Sequence, residues 1–198
     1  TKKDLNINIP HCDIQKVEIP LSDAEREFYE KLQKRIIQTR SGYPIEGVLR
    51  YRQTCISAPM TTLALKKKNE TIDFTKYEKY NSKLNHILKE IPKLLEQKRK
   101  IIVFSHFNYE IKYMSAKLEK EKYRYGIING SVPPYERDVI IKDMSYDILL
   151  IQIIAGGTGL NLQHFNYVFI TSPHFNPAVQ EQAICRVNRI GQKNETTI

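Results

Sequence analysis

Apolar and polar positions in the second half of the chain alternate in blocks that predict strands and helices in turn. Short apolar runs, of which 101–104 is the clearest, have the length of buried strands. Between them, apolar residues recur three and four positions apart, the spacing of one helix face. The predicted strands are 101–104, 125–128, 147–154 and 167–171, and the predicted helices are 110–122, 134–144 and 177–190. This alternation predicts an α/β fold over residues 100–198, a doubly wound parallel sheet.

Residues 1–99 have the pattern of a helical segment that leads into the sheet. The predicted elements are a short strand at 17–21 and helices at 23–39, 45–56 and 82–97, separated by breaks at 41–44 and 57–59 and a charged loop at 66–70. Ser22 with Glu25 three residues later is a capping box, which sets the start of the first helix. Pro92 is expected to kink or restart the last helix.

Composition narrows the classes of partner and compartment. Lys and Arg number 31 against 22 Asp and Glu, a net charge of +9, which suits a polyanion such as nucleic acid and equally a solvated lysine-rich surface. The three cysteines are scattered, which favours a reducing compartment over a disulfide scaffold or a zinc site. The longest apolar run, 148–155, is broken by Gln152 and is too short for a membrane span, and no signal peptide is visible.

A glycine-rich segment follows the predicted third strand. Gly156, Gly157 and Gly159 fall within four positions, where glycine lets backbone amides approach an anion closely. A dinucleotide-binding loop is disfavoured because Leu162 stands where a third small residue belongs and no helix fits before the next strand. The segment is therefore either a phosphate-binding loop or a tight turn between strands.

A second candidate lies on the last predicted helix. Pro177 suits its first position and Gly191 its end. Gln182, Arg186 and Arg189 would then share one face, at i, i+4 and i+7. Two guanidinium groups beside an amide suit a triphosphate, although a solvated basic stripe near a helix C-terminus has the same spacing.

Six blocks carry a resemblance to a known family. They are Arg52-Gln53-Thr54-Cys55 with Ala58-Pro59, Ser82-Lys83-Leu84, Lys100 to Phe107, Asn129-Gly130-Ser131 with Arg137, Ala155 to Leu162, and Asn176 to Gln192. In order and spacing they resemble the C-terminal, second RecA-like lobe of SWI/SNF-type DNA translocases in helicase superfamily 2. The resemblance covers about Val17 to the end of the chain. It implies a RecA-like lobe over 100–198, with its last strand truncated, after a helical linker and protrusion over 1–99.

The resemblance also implies a role for each candidate residue in nucleotide chemistry. Arg186 and Arg189 would be arginine fingers that reach ATP held mainly by another lobe, where such a charge speeds phosphoryl transfer by about 10³–10⁵. Gln182 would orient within the same site, and Gly159 with Asn161 would lie near the nucleotide edge. Magnesium would be held by the first lobe.

By the same resemblance, a second set of residues would contact double-stranded DNA. Ser105, Ser131, Gly156 and Gly157 would donate hydroxyl and amide hydrogens to the DNA backbone, contacts that position without reading sequence. Phe175 stands where the family usually has Trp, which keeps a flat apolar wedge without the indole donor. Other departures are Asn188 for the usual His between the fingers, Ile154 where Lys is frequent, and Asn129 for Asp.

Two motifs that an ATPase needs are absent from the sequence. There is no Gly-x-x-x-x-Gly-Lys-Ser/Thr loop and no Asp-Glu box for magnesium. The chain is therefore expected to be the second lobe of a two-lobe motor, inactive alone, working on double-stranded DNA or a nucleosome inside the nucleus or a viral factory.

The sequence leaves two alternatives to this reading open and disfavours a third. They are a catalytically inert DNA-binding or regulatory module of the same fold, an RNA- or transcription-coupled helicase of superfamily 2, and a nucleotide-sugar or dehydrogenase fold. The loop after Gly159 is too short for the last of these.

Overall fold

The computed structural model of the chain describes residues 10–38, 44–66, 75–77, 79–156 and 159–198. It divides into two compact units. The helical unit is Val17–Ile87, and the sheet unit is Leu88–Ile198 with the described residues up to Lys16. The boundary between the two units falls at Leu88, inside the helix Ser82–Glu96.

The sheet unit is built on six parallel strands. They are β1 (Cys12–Asp13), β2 (Ile101–Ser105), β3 (Tyr125–Ile128), β4 (Ile148–Gln152), β5 (Tyr167–Ile170) and β6 (Thr196–Thr197). Their order is β1-β6-β5-β2-β4-β3, and every neighbouring pair is parallel. The predicted parallel α/β fold is confirmed. Strand β2 lies centrally and is buried along its whole length, which explains its unbroken apolar run.

Helices connect these strands. They are α5 (Asn108–Lys120), α6 (Pro134–Lys142), α7 (Ile153–Gly156) and α8 (Pro177–Val187). Helix α7 occupies a place where the sequence predicted the end of a strand. The reason is that β2 ends at Ser105, the partner of Gln152, so that the chain beyond Gln152 has no neighbour on that side to pair with.

The strand predicted at 17–21 is wrong. That stretch is irregular, and Val17 is exposed. The edge strand is instead β1, because Cys12 and Asp13 pair with Thr196 and Thr197. The amide of Gln15 extends the ladder by donating to the carbonyl of Ile198 (2.7 Å). A short segment forms a strand when a neighbouring strand is available to pair with it. The pattern of residues within the segment does not show whether such a neighbour exists.

The helical unit contains α1 (Asp23–Gln38), α2 (Pro44–Ile56), α3 (Ala58–Lys66), a 3₁₀ turn (Thr75–Tyr77) and the first residues of α4 (Ser82–Glu96). Helices α1, α2 and α4 agree with the predicted ones, and α4 runs through Pro92 without a break. Where the sequence predicted a break at 57–59, the structure has the start of helix α3. Ser57 is a cap for this helix, since its hydroxyl accepts from the amide of Met60 (3.3 Å), and Pro59 stands in the first turn, where it is tolerated. The predicted break at 41–44 and charged loop at 66–70 lie largely outside the described residues.

Glu25 joins two helix N-termini in the helical unit. Its carboxylate accepts from the amide and hydroxyl of Ser22 (2.9 and 2.7 Å), which confirms the predicted capping box, and also from the amide and hydroxyl of Ser82. Burial by itself would raise the pKa of Glu25, but the hydrogen bonds from Ser82 and Ser22 outweigh it and hold that pKa below its ordinary value.

Candidate functional site

The carboxyl ends of the parallel strands bring several predicted DNA contacts to one edge of the sheet. Ser105 ends β2 beside Gln152 at the end of β4, and Ile128 of β3 lies beside Ile151. Ser105, Ser131, Gly156 and Phe175 all lie at or after such an end. In open α/β sheets this edge is where ligands bind.

Ser105 is fully buried at this edge. Its hydroxyl oxygen has no hydrogen-bond partner among the described residues. A buried hydroxyl without a partner costs free energy, and it indicates either stored strain or a ligand absent from the structure. Ser105 can reach a DNA backbone only after the groups that cover it move.

The loop from β3 to α6 is fixed by its own polar groups. The Asn129 side-chain oxygen accepts from the Ser131 amide (3.0 Å) and hydroxyl (2.6 Å), while the Gly130 amide donates to the Gln152 side chain (3.2 Å). Asn129 thus fixes a turn through its own side chain. Ser131 remains exposed at the tip of this preformed loop.

Arg137 ties this loop to the neighbouring strand end. Its guanidinium donates to the carbonyls of Val132 (2.8 Å), Ala155 (3.4 Å) and Asn129 (3.4 Å). Since all three guanidinium nitrogens donate to backbone carbonyls of the protein itself, Arg137 stabilises the conformation of the loops at this edge of the sheet.

An aromatic group lies where β2 and β5 end. The ring of His106 is 5.3 Å from His174 and 6.4 Å from Phe175, and it meets Phe107 edge-on at 4.6 Å. Phe175 is 65% exposed. Sequence reasoning singled out Phe175 but missed His106 and His174. These residues follow β2 and β5, and they meet because the two strands are neighbours in the sheet.

The glycine-rich segment is described in part. Gly156 is the last residue of α7, and the predicted contact Gly157 lies outside the described residues. Gly159 has φ +65°, and among the described residues no atom other than those of its chain neighbours lies within 4 Å of where a side chain would start. Asn161 is exposed, and its side-chain oxygen accepts from the Gln163 amide (3.4 Å).

Helix α8 begins as predicted but ends earlier. Asn176 caps it by accepting from the Ala178 amide (3.0 Å), and Pro177 is its first residue. The predicted end at Ile190 is wrong, because the helix stops at Val187 and Asn188 takes φ −88°, ψ 78°. Consequently Gln182 and Arg186 share a helix face, whereas Arg189 projects from the turn that follows.

The two candidate finger side chains differ from Arg137 in their surroundings. Among the described residues neither the Arg186 nor the Arg189 side chain has a hydrogen bond or an ion pair, and Nε of Arg186 is buried without an acceptor. The carbonyl of Arg186 accepts from the Leu162 amide (3.2 Å), which places the loop that carries Gly159 and Asn161 against the end of α8. Two uncompensated guanidinium groups beside an open glycine loop can accept an external anion.

Asn188, between the two arginines, has a neighbour that the sequence did not suggest. Burial raises the pKa of the Cys12 thiol on β1, and a hydrogen bond from the Asn188 side chain opposes that rise. Asn188 therefore faces the β1 edge strand.

Other chemistry is limited in the described part of the chain. No three His, Cys, Asp or Glu side chains there lie close enough together to hold a metal ion. None of the helices it contains has the length and apolarity that crossing a bilayer demands.

Comparison with protein families matches residues 81–191 to the helicase conserved C-terminal domain. DNA repair protein RAD5A of Arabidopsis thaliana is 31% identical over 131 residues, which cover 64% of this chain and 13% of that protein. A probable global transactivator of Orgyia pseudotsugata multicapsid polyhedrosis virus is 26% identical over 216 residues, covering all of this chain and 43% of the viral protein. The chain thus spans less than half the length of either relative.

A solved structure shares the fold. The crystal structure of the C-terminal part of the Fun30 ATPase domain superposes with a TM-score of 0.75 at 19% identity, covering 98% of this chain and 84% of that one.

Proposed function

The chain belongs to the helicase conserved C-terminal domain family, in its SWI/SNF-type branch, and on that premise we propose that it is the second ATPase lobe of an ATP-dependent translocase on double-stranded DNA. Residues 100–198 would form the lobe, to whose sheet β1 (Cys12–Asp13) adds the edge strand, and the rest of residues 1–99 would serve as protrusion and linker. The DNA repair relatives support DNA as the substrate, and a nucleosome would present that DNA to the same edge. The site of action is the nucleus, or a viral factory if the source is a virus.

The observation that carries this proposal is the pair of guanidinium groups without an acceptor. Arg186 and Arg189 lie beside the open loop of Gly159 and Asn161 and have no partner among the described residues. A guanidinium placed where charge develops on a transferring phosphoryl group is worth about 10³–10⁵ in rate. Gln182, one turn before Arg186, would orient the same nucleotide.

ATP and its magnesium ion would be held mainly by a first lobe on the same polypeptide. This sequence has neither a phosphate-cradling lysine loop nor an Asp-Glu pair. Magnesium bound with that ATP would supply positive charge to the phosphates, and Arg186 and Arg189 would add the positive charge that comes from this chain. Alone, the chain hydrolyses ATP negligibly.

DNA would lie along the carboxyl edge of the sheet. The exposed tip at Ser131 offers a donor and the Phe175 ring an apolar wedge. The amides of Gly156 and Gly157 would donate as well. Ser105 joins them if the groups that cover it move. Closure of the two lobes on ATP, and reopening after hydrolysis, would advance this edge along the duplex.

The test uses the full-length polypeptide with both lobes. Arg186→Ala and Arg189→Ala should each lower DNA-stimulated ATPase turnover by about 10³ while DNA affinity changes less than about threefold. Arg124→Ala is the matched control, because Arg124 is an exposed arginine next to β3 whose side chain also has no hydrogen-bond or ion-pair partner among the described residues.

Two results would contradict the proposal. If both finger variants keep most of their turnover, an inert DNA-binding module is the better description. If RNA stimulates turnover better than double-stranded DNA, the chain belongs to an RNA-coupled motor.

A further inference from the structure

We propose that Gln163 is a positioning residue that couples the nucleotide-edge loop to the turn carrying Arg189, an inference that rests on the proposed function. Gln163 follows the glycine-rich block directly and had no assigned role. It lies between Asn161 and the turn after α8.

The contacts of Gln163 reach both segments. Its backbone amide donates to the side-chain oxygen of Asn161 (3.4 Å), and its side-chain amide donates to the carbonyl of Ile190. The same amide lies flat against Gly191, where an added Cβ would come within 2.9 Å of Oε1 and 3.2 Å of Cδ. Gly191 has φ +101°, so glycine is required there both for the backbone conformation and for the approach of Gln163.

A second glutamine strengthens the same junction. The Gln192 side-chain amide donates to the carbonyls of Phe165 (2.9 Å) and Val187 (3.3 Å), and its oxygen accepts from the amides of Lys193 (2.9 Å) and Asn194 (3.0 Å). Gln192 is buried and uses its full hydrogen-bonding capacity, and it secures the base of the junction. Gln163 is the amide that reaches the nucleotide-edge loop.

Arg189 needs such support because it lies outside the helix. Within the described part of the chain its backbone makes two hydrogen bonds, from its amide to Val187 (3.1 Å) and from the Gln192 amide to its carbonyl (2.9 Å). A charge that stabilises a transition state loses its effect when displaced by about 1 Å, a change that costs up to about 100-fold in rate. The Gln163 side chain binds the carbonyl of Ile190, the residue after Arg189, while its backbone amide binds the Asn161 side chain. The nucleotide edge and the second finger therefore shift together.

The experiment is a double-mutant cycle in the full-length, two-lobe protein. Gln163→Met keeps the length of the side chain and removes its amide, and we expect kcat of the DNA-stimulated ATPase to fall about tenfold. In an Arg189→Ala background the same substitution should lower kcat less than about twofold, because the finger to be positioned is gone. Gln180→Met, on α8, is the matched control, since the Gln180 side chain has no hydrogen bond within the described residues and is expected to leave kcat unchanged.

A second variant approaches the junction from the other side. Gly191→Ala should lower kcat in the wild-type background, because its methyl group displaces the Gln163 amide. In a Gln163→Ala background its further effect should shrink to that of the backbone strain alone.

Each outcome has one interpretation. If Gln163→Met lowers kcat equally with and without Arg189, its role is merely structural and the inference fails. If Arg189→Ala abolishes turnover while Gln163→Met stays within twofold of wild type, the inference fails and the proposed function survives. If Arg189→Ala leaves turnover intact, this inference fails, and if Arg186→Ala does so as well, the proposed function fails with it.

Discussion

Arg137 and Arg186 both lie in the sheet unit, and the protein surrounds their guanidinium groups in opposite ways. The donors of Arg137 are taken by three backbone carbonyls of the edge loops. Those of Arg186 have no acceptor among the described residues, although its Nε is buried. An arginine whose donors are satisfied internally stabilises a shape, whereas one left unsatisfied at an open loop is ready for an external anion. Both arginines belong to blocks that resemble the helicase family, so the resemblance alone does not separate these roles.

The largest expected effect is a crossed pattern between these two arginines. Arg186→Met should lower ATPase turnover of the two-lobe protein by about 10³ and change the free energy of unfolding by less than about 0.5 kcal/mol. Arg137→Met should lower the free energy of unfolding by about 2 kcal/mol, because it leaves carbonyls at the loop unsatisfied. Urea unfolding and turnover measured on the same samples test this, and equal losses of stability in the two variants would contradict the distinction.

The same rule applies to a carboxylate in the helical unit. Glu25→Gln should lower the free energy of unfolding by about 2 kcal/mol, because an amide nitrogen then faces the donors of Ser22 or Ser82. The folded pKa of Glu25 lies below the ordinary 4.5, so its contribution is present above that pH and is lost as the pH falls through the folded value. The stability gap between wild type and variant should therefore close in acid.

Glu27→Gln is the matched control for this effect. The Glu27 side chain is 40% exposed, and hydrogen bonds from Lys31 and Lys76 lower its pKa to about 2. Because water screens an exposed pair, its removal should shift the unfolding midpoint less than the Glu25 change. A larger shift for Glu27→Gln than for Glu25→Gln would show that burial does not explain the contribution of Glu25 to the free energy of unfolding.

Sequence reasoning recovered what depends on local pattern. The apolar run of β2 and the capping box at Ser22 and Glu25 needed only neighbours in the chain. Strand β1 was missed because its existence depends on Thr196 and Thr197, more than 180 residues away. The departure of Arg189 from α8 was missed for the same reason, since long-range contacts of Gln192, such as that to Phe165, shape the turn.

A smaller effect tests whether the two free arginines accept an anion. Pyrophosphate at ten times its dissociation constant should stabilise the wild-type chain by about 1.4 kcal/mol, seen as a rise in melting temperature. The double variant Arg186→Met/Arg189→Met should lose that rise, whereas Arg124→Met should keep it. If Arg124→Met loses that rise as fully as the double variant does, the anion binds to general positive charge instead of this site.

The smallest effects separate two serines at the carboxyl edge. Ser131→Ala removes an exposed hydroxyl whose bond to Asn129 is duplicated by the backbone amide, so stability should change by less than about 0.5 kcal/mol. DNA affinity of the two-lobe protein should fall about threefold on every sequence alike, because a backbone contact carries no sequence information. Ser105→Ala removes a buried hydroxyl without a partner and should leave the melting temperature unchanged or higher. A marked loss of stability in Ser105→Ala would mean that the hydroxyl is satisfied within the folded chain, and an unpaired polar group at this edge could then no longer be taken as the mark of a ligand site.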